Sequence, residues 1–201
     1  FRENNSDKLK LYVSVPESDL DKIPFSEDEN VKIITDESFA ANYLTKNGSL
    51  GMSVGYVNQQ ICKRVFFKTS FSKNYLCLDS DSYFIRNFFK KDFMYNDDTP
   101  YTVLVMDKDL AIEKHYKNKH WIGRTKGVSK IYNFMELEDS RLRTCHNTQV
   151  FNYLVLKSME KNFLEVKGMA WKDLFKISPY EFTWYNVCLL YTSPSPRDAT
   201  L

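Results

Sequence analysis

The chain has 201 residues, of which 43% are hydrophobic, enough for one α/β domain with a hydrophobic core. Its net charge is +2 and its Lys and Arg residues are dispersed, so there is no basic stripe of the kind that binds nucleic acid. No run of about 18 or more apolar residues occurs, which predicts no transmembrane segment in this chain. The four cysteines form no CxxC pair, so we expect reduced thiols, with Cys77 in the core. We expect a cytoplasmic protein, or one peripheral to a membrane.

Both ends of the sequence look artificial. The chain begins at Phe1, and we expect an N-terminal portion, including any targeting signal, to be missing. Residues 188–201 resemble the translated read-through of a sequencing adapter, with a genuine Ser/Pro-rich linker as the alternative. We therefore expect a domain over residues 1–187 that is incomplete at its N-terminus. A non-native tail over residues 188–201, packing against nothing, would follow it.

The first part of the chain predicts two strands and a loop. Residues 9–15 alternate in polarity as a strand does. Residues 31–34 predict a second strand, which is followed by a capped helix ending at Leu44. Residues 47–55 contain three of the six glycines, which favours a flexible loop and a candidate lid over a ligand.

The strongest helical pattern covers residues 56–70. Ile61, Val65 and Phe66 fall on one face of this helix, which we expect to face the core. The charged side chains of the same helix are expected to reach solvent or a ligand site: Lys63, Arg64 and Lys68.

The rest of the chain predicts alternating strands and helices. Strands are expected over residues 75–78, 101–106 and 148–151. Helices are expected over residues 107–118, 125–135, 152–164, 170–176 and 180–185, with His120, Trp121 and Gly123 separating the first two. This alternation predicts a single α/β domain with a mostly parallel central sheet flanked by helices.

An Asp-Ser-Asp motif, Asp79-Ser80-Asp81, directly follows the apolar strand at 75–78. In extended backbone, residues i and i+2 face the same way, so Asp79 and Asp81 would present their carboxylates on one side. Two such oxygens at the end of a strand suit Mg²⁺ or Mn²⁺ carrying a diphosphate. The alternative is that both residues merely end the strand, one of them in an Asx-turn or a helix cap.

The order of several motifs resembles glycosyltransferases of the GT-A type, and most closely the DUF6492 group of glycosyltransferase-like proteins. The matching segments are Val15-Pro16 with Asp19, Gly55 to Lys63 with Gln59 and Gln60, Tyr75 to Arg86, Asn147 to Phe151, and Ser178 to Tyr185. The likeness covers roughly residues 9–187. It departs from the family pattern at Pro179, where the family usually has an acid, and a first strand and helix that help to hold the nucleotide base would precede Phe1.

The resemblance implies a hexosyltransferase-like enzyme that moves a sugar from a nucleotide-sugar donor to a carbohydrate or glycoconjugate acceptor. Asp79 and Asp81 would hold Mn²⁺ or Mg²⁺ and, through it, the donor diphosphate. The expected donor-binding residues are Gln59, Gln60, Lys63, Asp79, Ser80, Asp81 and Arg86. The expected acceptor-binding residues are His146, Asn147, Trp184 and Tyr185. The alternatives are ordinary solvated cations for Lys63 and Arg86, a polar loop pair for His146 and Asn147, and core aromatics for Trp184 and Tyr185.

Glu181 is the candidate catalytic base. An inverting transferase needs a carboxylate that takes the proton of the acceptor hydroxyl, and Asp79 and Asp81 are committed to the metal. Glu181 opens a predicted helix among aromatic residues. The alternative is that a Glu in the first turn of a helix only complements the helix dipole.

Two other functions compete with this interpretation. A phosphatase of the haloacid dehalogenase type also uses a strand-end DxD, but it has Thr or Val after the second Asp, where this chain has Ser82. The second competitor is a GT-A-like domain that binds a ligand or acts as a scaffold without catalysis. Weak or absent metal-dependent binding of sugar nucleotides would favour the latter.

Overall fold

The computed structural model of the chain describes residues 1–103, 111–138 and 148–192. Over these residues the fold is mixed α/β, as the sequence predicts. Part of the strand expected over 101–106 lies outside the described residues, and residues 101–103 are not in a strand. None of the helices within the described ranges has the length and apolarity needed to span a bilayer.

The first sheet is a parallel pair. Strand β1, Leu11–Val15, pairs with β2, Val31–Thr35, in a register that places Leu11 opposite Val31. A 3₁₀ helix, Glu17–Lys22, lies in the crossover connection that a parallel pair requires. Helix α1, Asp36–Ala40, begins directly after β2. The two strands predicted here are therefore confirmed.

The second sheet is antiparallel. Strand β3, Asn74–Cys77, pairs with β4, Gln149–Asn152. Within the described residues, the expected mostly parallel central sheet is thus replaced by two separate two-stranded sheets, one of each kind. Periodicity predicts that a segment is a strand, but strand direction depends on how the long connection returns.

Helix α2, Val54–Val65, confirms the strongest helical prediction. Ser53 caps it by accepting a hydrogen bond from the backbone N–H of Tyr56, as N-cap serines do. A 3₁₀ helix, Phe66–Thr69, continues it and ends at Ser70, whose φ of +58° reverses the chain. The buried face of α2 includes Ile61 and Val65, both fully inaccessible to solvent.

The two helices expected around residues 107–135 are joined. Helix α3, Lys114–Tyr116, passes through a π-helical stretch, Lys117–Trp121, into α4, Ile122–Phe134. The predicted break is absent because the backbone stays in the right-handed helical region through Trp121 and Ile122.

Four further helical elements follow β4 in the described part of the chain. Helix α5, Tyr153–Met159, is followed by a π-helical turn, Glu160–Glu165. A 3₁₀ helix, Trp171–Lys176, then leads to α6, Glu181–Thr192. Residues 181–188 of α6 are all buried, so this helix lies in the centre of the core rather than on its surface.

The core extends past the expected domain boundary at residue 187. Cys188 is fully buried in the main hydrophobic cluster, and Leu189 packs against that cluster. The prediction that residues from 188 onward pack against nothing is therefore wrong for these two residues. Cys77 is buried as predicted, and the described cysteines, Cys62, Cys77 and Cys188, are free thiols.

Candidate functional site

The Asp-Ser-Asp motif forms a turn at the end of β3. The strand ends at Cys77, and the backbone N–H of Ser82 donates to the carbonyl oxygen of Asp79 at 3.0 Å. The sequence predicts that extended backbone presents the carboxylates of Asp79 and Asp81 on one side. This prediction is wrong, because the chain turns between the two residues. The side chain of Asp79 is 30% exposed, and Asp81 is exposed. Both carboxylates are thus open to a ligand from a turn rather than from a strand.

Lys63 of α2 joins this turn to α6. Its Nζ lies 2.6 Å from Oδ1 of Asp79 and 3.3 Å from Oε1 of Glu181, while its side chain is only 10% exposed. The same nitrogen lies 5.3 Å from the centre of the Phe182 ring. Two carboxylates that are remote in sequence therefore share one cation. Lys63 is close to the motif, as predicted, but its contacts are with protein carboxylates rather than with solvent.

The charge of Lys63 is stabilised by these contacts. Burial by itself would lower the pKa of Lys63, because it disfavours the charged form. The attraction of Glu181 and the hydrogen bond to Asp79 outweigh burial, so the pKa of Lys63 is raised. Lys63 is consequently a permanent ammonium at neutral pH.

Glu181 is the first residue of α6 and is only 8% exposed. With the amide of Gln60 oriented to suit its neighbours, Nε2 lies 2.6 Å from Oε1 and 3.1 Å from Oε2 of Glu181. Lys63 also donates to Oε1. The carboxylate is therefore held by two side chains of α2, one turn of helix apart, and its position in the first turn of α6 suits the helix dipole.

Arg64 lies in the core, whereas the sequence predicts that it reaches solvent or a ligand site. Instead of reaching solvent, it is 1% exposed, with its guanidinium carbon 4.8 Å from the centre of the Phe175 ring. Its three guanidinium nitrogens have no hydrogen-bond partner in the structure as described. Burial lowers the pKa of Arg64 to about 10, with the nearby charge of Glu181 opposing the shift.

A signal for the burial of Arg64 was present in the sequence. Val57, Gln60, Ile61 and Arg64 follow the i, i+3, i+4, i+7 spacing of a single helix face. Val57 and Ile61 identify this face as the core face, and all four side chains are buried. A Gln and an Arg on an apolar stripe indicate polar groups that turn inward, whereas the expectation stated above directed Arg64 toward solvent or a ligand site.

The two aromatic residues predicted to stack on an acceptor sugar are core residues. Trp184 is fully buried and donates its indole N–H to the carbonyl oxygen of Ser178 at 2.9 Å. Tyr185 is 1% exposed and stacks on Phe151, with ring centres 4.5 Å apart. Neither ring presents a face to solvent, so the acceptor-binding prediction is wrong for both. Both residues lie in the part of α6 that is buried on every side, which is why neither ring is available to a sugar.

The remaining predicted residues are dispersed. Gln59 lies on the exposed side of α2, next to the buried Gln60, so the two glutamines face different surroundings. Ser80 and Arg86 are exposed on the segment that follows β3. The predicted acceptor residues His146 and Asn147 lie outside the described residues.

The donor atoms near the turn limit what kind of metal site it could be. Among the residues that the structure describes, no group of three or more His, Cys, Asp or Glu side chains could hold a metal ion. Asp79 and Asp81 supply hard carboxylate oxygens, and Mg²⁺ is commonly held by one or two carboxylates together with substrate phosphates. The two residues therefore fit a cation whose coordination a phosphate ligand completes. They do not fit a cage made by protein alone.

No protein-family model matches the chain. Among curated proteins, no significant match is found.

Proposed function

We propose that this protein is a glycosyltransferase of the GT-A kind that takes a sugar from a nucleotide-diphosphate donor. The observation that most supports the proposal is the buried Lys63, which connects Asp79 at the end of β3 with Glu181 at the start of α6. A buried cation between a partly open carboxylate and a buried one is a costly arrangement that a purely structural turn does not need. The mixed α/β fold is also consistent with it.

The residues of the turn have the chemistry for donor binding. Asp79 and Asp81 would hold Mn²⁺ or Mg²⁺, which, when bound, neutralises the charge of a diphosphate leaving group. Ser80 and Arg86, both exposed, are available to bind the phosphates directly. Gln60 and Lys63 belong to α2 and position two carboxylates. Gln60 holds the carboxylate of Glu181, and Lys63 holds the carboxylate of Asp79.

In this proposal Glu181 accepts the proton of the acceptor hydroxyl. Its ties to Lys63, which also binds Asp79, support the assignment, because they bring a third carboxylate to the candidate donor site. A base must reach the proton that it removes within hydrogen-bond distance. Since Glu181 is 8% exposed, this role requires a movement that opens its carboxylate to the acceptor.

The burial of Glu181 also favours a second candidate function. A carboxylate whose oxygens already accept hydrogen bonds from Lys63 and Gln60 is a structural anchor in this conformation. A GT-A-like domain that binds sugar nucleotides without transferring the sugar would need this anchor and no base. Release of nucleotide from a bound donor, in the presence of candidate acceptors or water, separates the enzyme from the binding domain.

A thermal-shift panel tests the proposal. UDP, GDP, UDP-glucose, UDP-N-acetylglucosamine and GDP-mannose are added with and without Mn²⁺, since a ligand that binds the native state raises its apparent stability. We expect at least one sugar nucleotide to raise the melting temperature only with Mn²⁺. Asp79→Asn should abolish this rise, whereas Asp98→Asn, at an exposed aspartate elsewhere, should preserve it. A rise that is independent of Mn²⁺ and unchanged in Asp79→Asn would contradict the proposal.

A further inference from the structure

Lys63 is enclosed by groups that stabilise a positive charge. Its ammonium donates to Asp79 at 2.6 Å and to Glu181 at 3.3 Å, and the Phe182 ring lies close by. The first distance is that of a short, charge-assisted hydrogen bond and the second is longer, so Asp79 is the closer partner. With a side chain that is 10% exposed, Lys63 cannot exchange Asp79 for water without leaving its enclosure.

Asp79 is also a proposed ligand of the divalent cation. A dication on Asp79 would lie within a few ångström of the Lys63 ammonium, and like charges at such distances repel strongly in a partly buried site. The ammonium and the metal therefore compete for the same carboxylate. Glu181 offers the ammonium a second carboxylate, because it is buried, is already in contact with Nζ and is held in place by Gln60.

We propose that Lys63 is an internal counter-cation of Asp79, that a divalent metal displaces it from Asp79, and that Glu181 receives it. This inference rests on the proposed metal site and goes beyond it by assigning a movement to Lys63 and a receiving role to Glu181. The strength of metal binding is then set by competition with a residue of the protein. Metal binding at the turn is also coupled to the start of α6 through the ammonium.

The test uses Mn²⁺ as the probe, with UDP present to complete its coordination. Free Mn²⁺ is measured by electron paramagnetic resonance during titration of the full chain at a fixed UDP concentration, with UDP alone as the blank and without a turnover assay. Lys63→Gln should bind Mn²⁺ at least tenfold more tightly than the unsubstituted chain, because it removes both the repulsion and the competition. Lys63→Arg keeps the charge and should leave binding weak. Lys68→Gln is the control, because it removes one positive charge from a lysine of the neighbouring segment that pairs with Glu160 at 2.7 Å. It should leave the Mn²⁺ affinity unchanged.

A double-mutant cycle separates the receiving role of Glu181 from direct metal ligation. Glu181→Gln removes the carboxylate that receives Lys63, so the ammonium stays on Asp79 and Mn²⁺ binding should weaken. In the Lys63→Gln background there is no ammonium to receive, so Glu181→Gln should have no effect. If Glu181 were a metal ligand, Glu181→Gln would weaken binding in both backgrounds. Circular dichroism establishes that each variant is folded, and Lys63→Met takes the place of Lys63→Gln in the cycle if Lys63→Gln does not fold.

The outcomes distinguish this inference from the proposed function. Unchanged Mn²⁺ affinity in Lys63→Gln or in Glu181→Gln overturns the role of Lys63, while loss of binding in Asp79→Asn still supports the metal site. Mn²⁺ affinity that is unaffected by Asp79→Asn, or Mn²⁺ binding by neither the unsubstituted chain nor Lys63→Gln, overturns both. Tighter binding in Lys63→Gln that Asp79→Asn abolishes supports both.

Discussion

Asp79 and Glu181 share the ammonium of Lys63, which lies 2.6 Å from the first carboxylate and 3.3 Å from the second. One carboxylate belongs to a turn beside solvent and the other to a helix in the core. The lysine thus connects a surface where a ligand can bind to the interior of the protein. Whether Glu181 acts on a substrate or only on Lys63 decides between the two candidate functions.

The first prediction separates these two roles of Glu181. If Glu181 is the general base, Glu181→Gln should lower turnover by about 10²-fold or more at every Mn²⁺ concentration, since that is the scale of general-base catalysis. If Glu181 only receives Lys63, saturating Mn²⁺ should restore turnover in the variant. Steady-state rates measured across a Mn²⁺ titration provide the comparison. Glu160→Gln, which removes the carboxylate partner of Lys68, is the matched control and should retain the rate.

The second prediction concerns Asp81. Asp81→Asn should abolish the Mn²⁺-dependent binding of sugar nucleotides, because the amide removes a charged oxygen ligand, while the fold stays intact at this exposed position. Isothermal titration calorimetry with and without Mn²⁺ measures the loss. Asp97→Asn, at another exposed aspartate, should preserve binding. Unchanged affinity and metal dependence in Asp81→Asn would show that the Asp-Ser-Asp turn is not the metal site.

The third prediction concerns the buried guanidinium of Arg64. Arg64→Met should leave the free energy of unfolding unchanged or raise it by about 1–4 kcal/mol, because a hydrophobic side chain of similar volume avoids the desolvation of an unpaired charge. Arg64→Ala should lower it by about 2–5 kcal/mol, because it leaves a cavity beside Phe175. Urea denaturation measures both. Equal losses in the two variants would indicate that the charge of Arg64 is itself stabilising, for example through Glu181.

The fourth prediction concerns the end of α6. A chain ending at Val187 should be less stable by about 1–3 kcal/mol, because it loses the fully buried Cys188 and part of the last turns of the helix. A chain ending at Thr192 should stay within about 0.5 kcal/mol of the whole chain, because residues 193–201 belong to the segment that the sequence predicts to be non-native. Melting temperatures of the three chains provide the measurement. Equal stability of the two shortened chains would show that residues after 187 do not stabilise the fold, as the sequence predicts.

The fifth prediction concerns pH and the buried Asp36 at the start of α1. Burial raises the pKa of Asp36, and the hydrogen bond from the Ser14 hydroxyl reduces but does not cancel the shift. The native state therefore binds the proton more tightly than the unfolded state, and the contribution of Asp36 to stability is greatest in acid and falls as the pH rises past its ordinary pKa of 3.8. Asp36→Asn should raise the melting temperature at pH 7, and the gain should disappear in acid.

Asp28 provides a control of opposite sign. Its pKa is lowered by the backbone N–H of Asn30 and by Arg2, so its contribution to stability is present at neutral pH and is lost in acid. Asp28→Asn should accordingly lower the melting temperature at pH 7 and converge with the unsubstituted chain in acid. A pH dependence of the same sign for both variants would contradict the assignment for Asp36.

Local pattern was sufficient to predict most of the elements but not their pairing. The strands near residues 11, 31, 74 and 149 and the helix through Ile61 all follow from periodicity and capping, which depend on near neighbours in the chain. The antiparallel pairing of β3 with β4 does not follow, because it depends on a long connection. The continuous helix around Trp121 was missed as well, because His120, Trp121 and Gly123 are only weak signals for a break and the backbone stays helical through Trp121 and Ile122.

The sequence by itself determined that two aspartates follow an apolar strand and that Lys63 lies on the helix before them. It also indicated that Glu181 opens a helix. Only the tertiary structure decided that Lys63 binds both Asp79 and Glu181, and that Trp184 and Tyr185 are buried rather than open to a sugar. The physical reason is that ion pairs and burial depend on which faces of remote helices meet. Periodicity identifies an apolar face, but it does not identify the side chains that this face will contact.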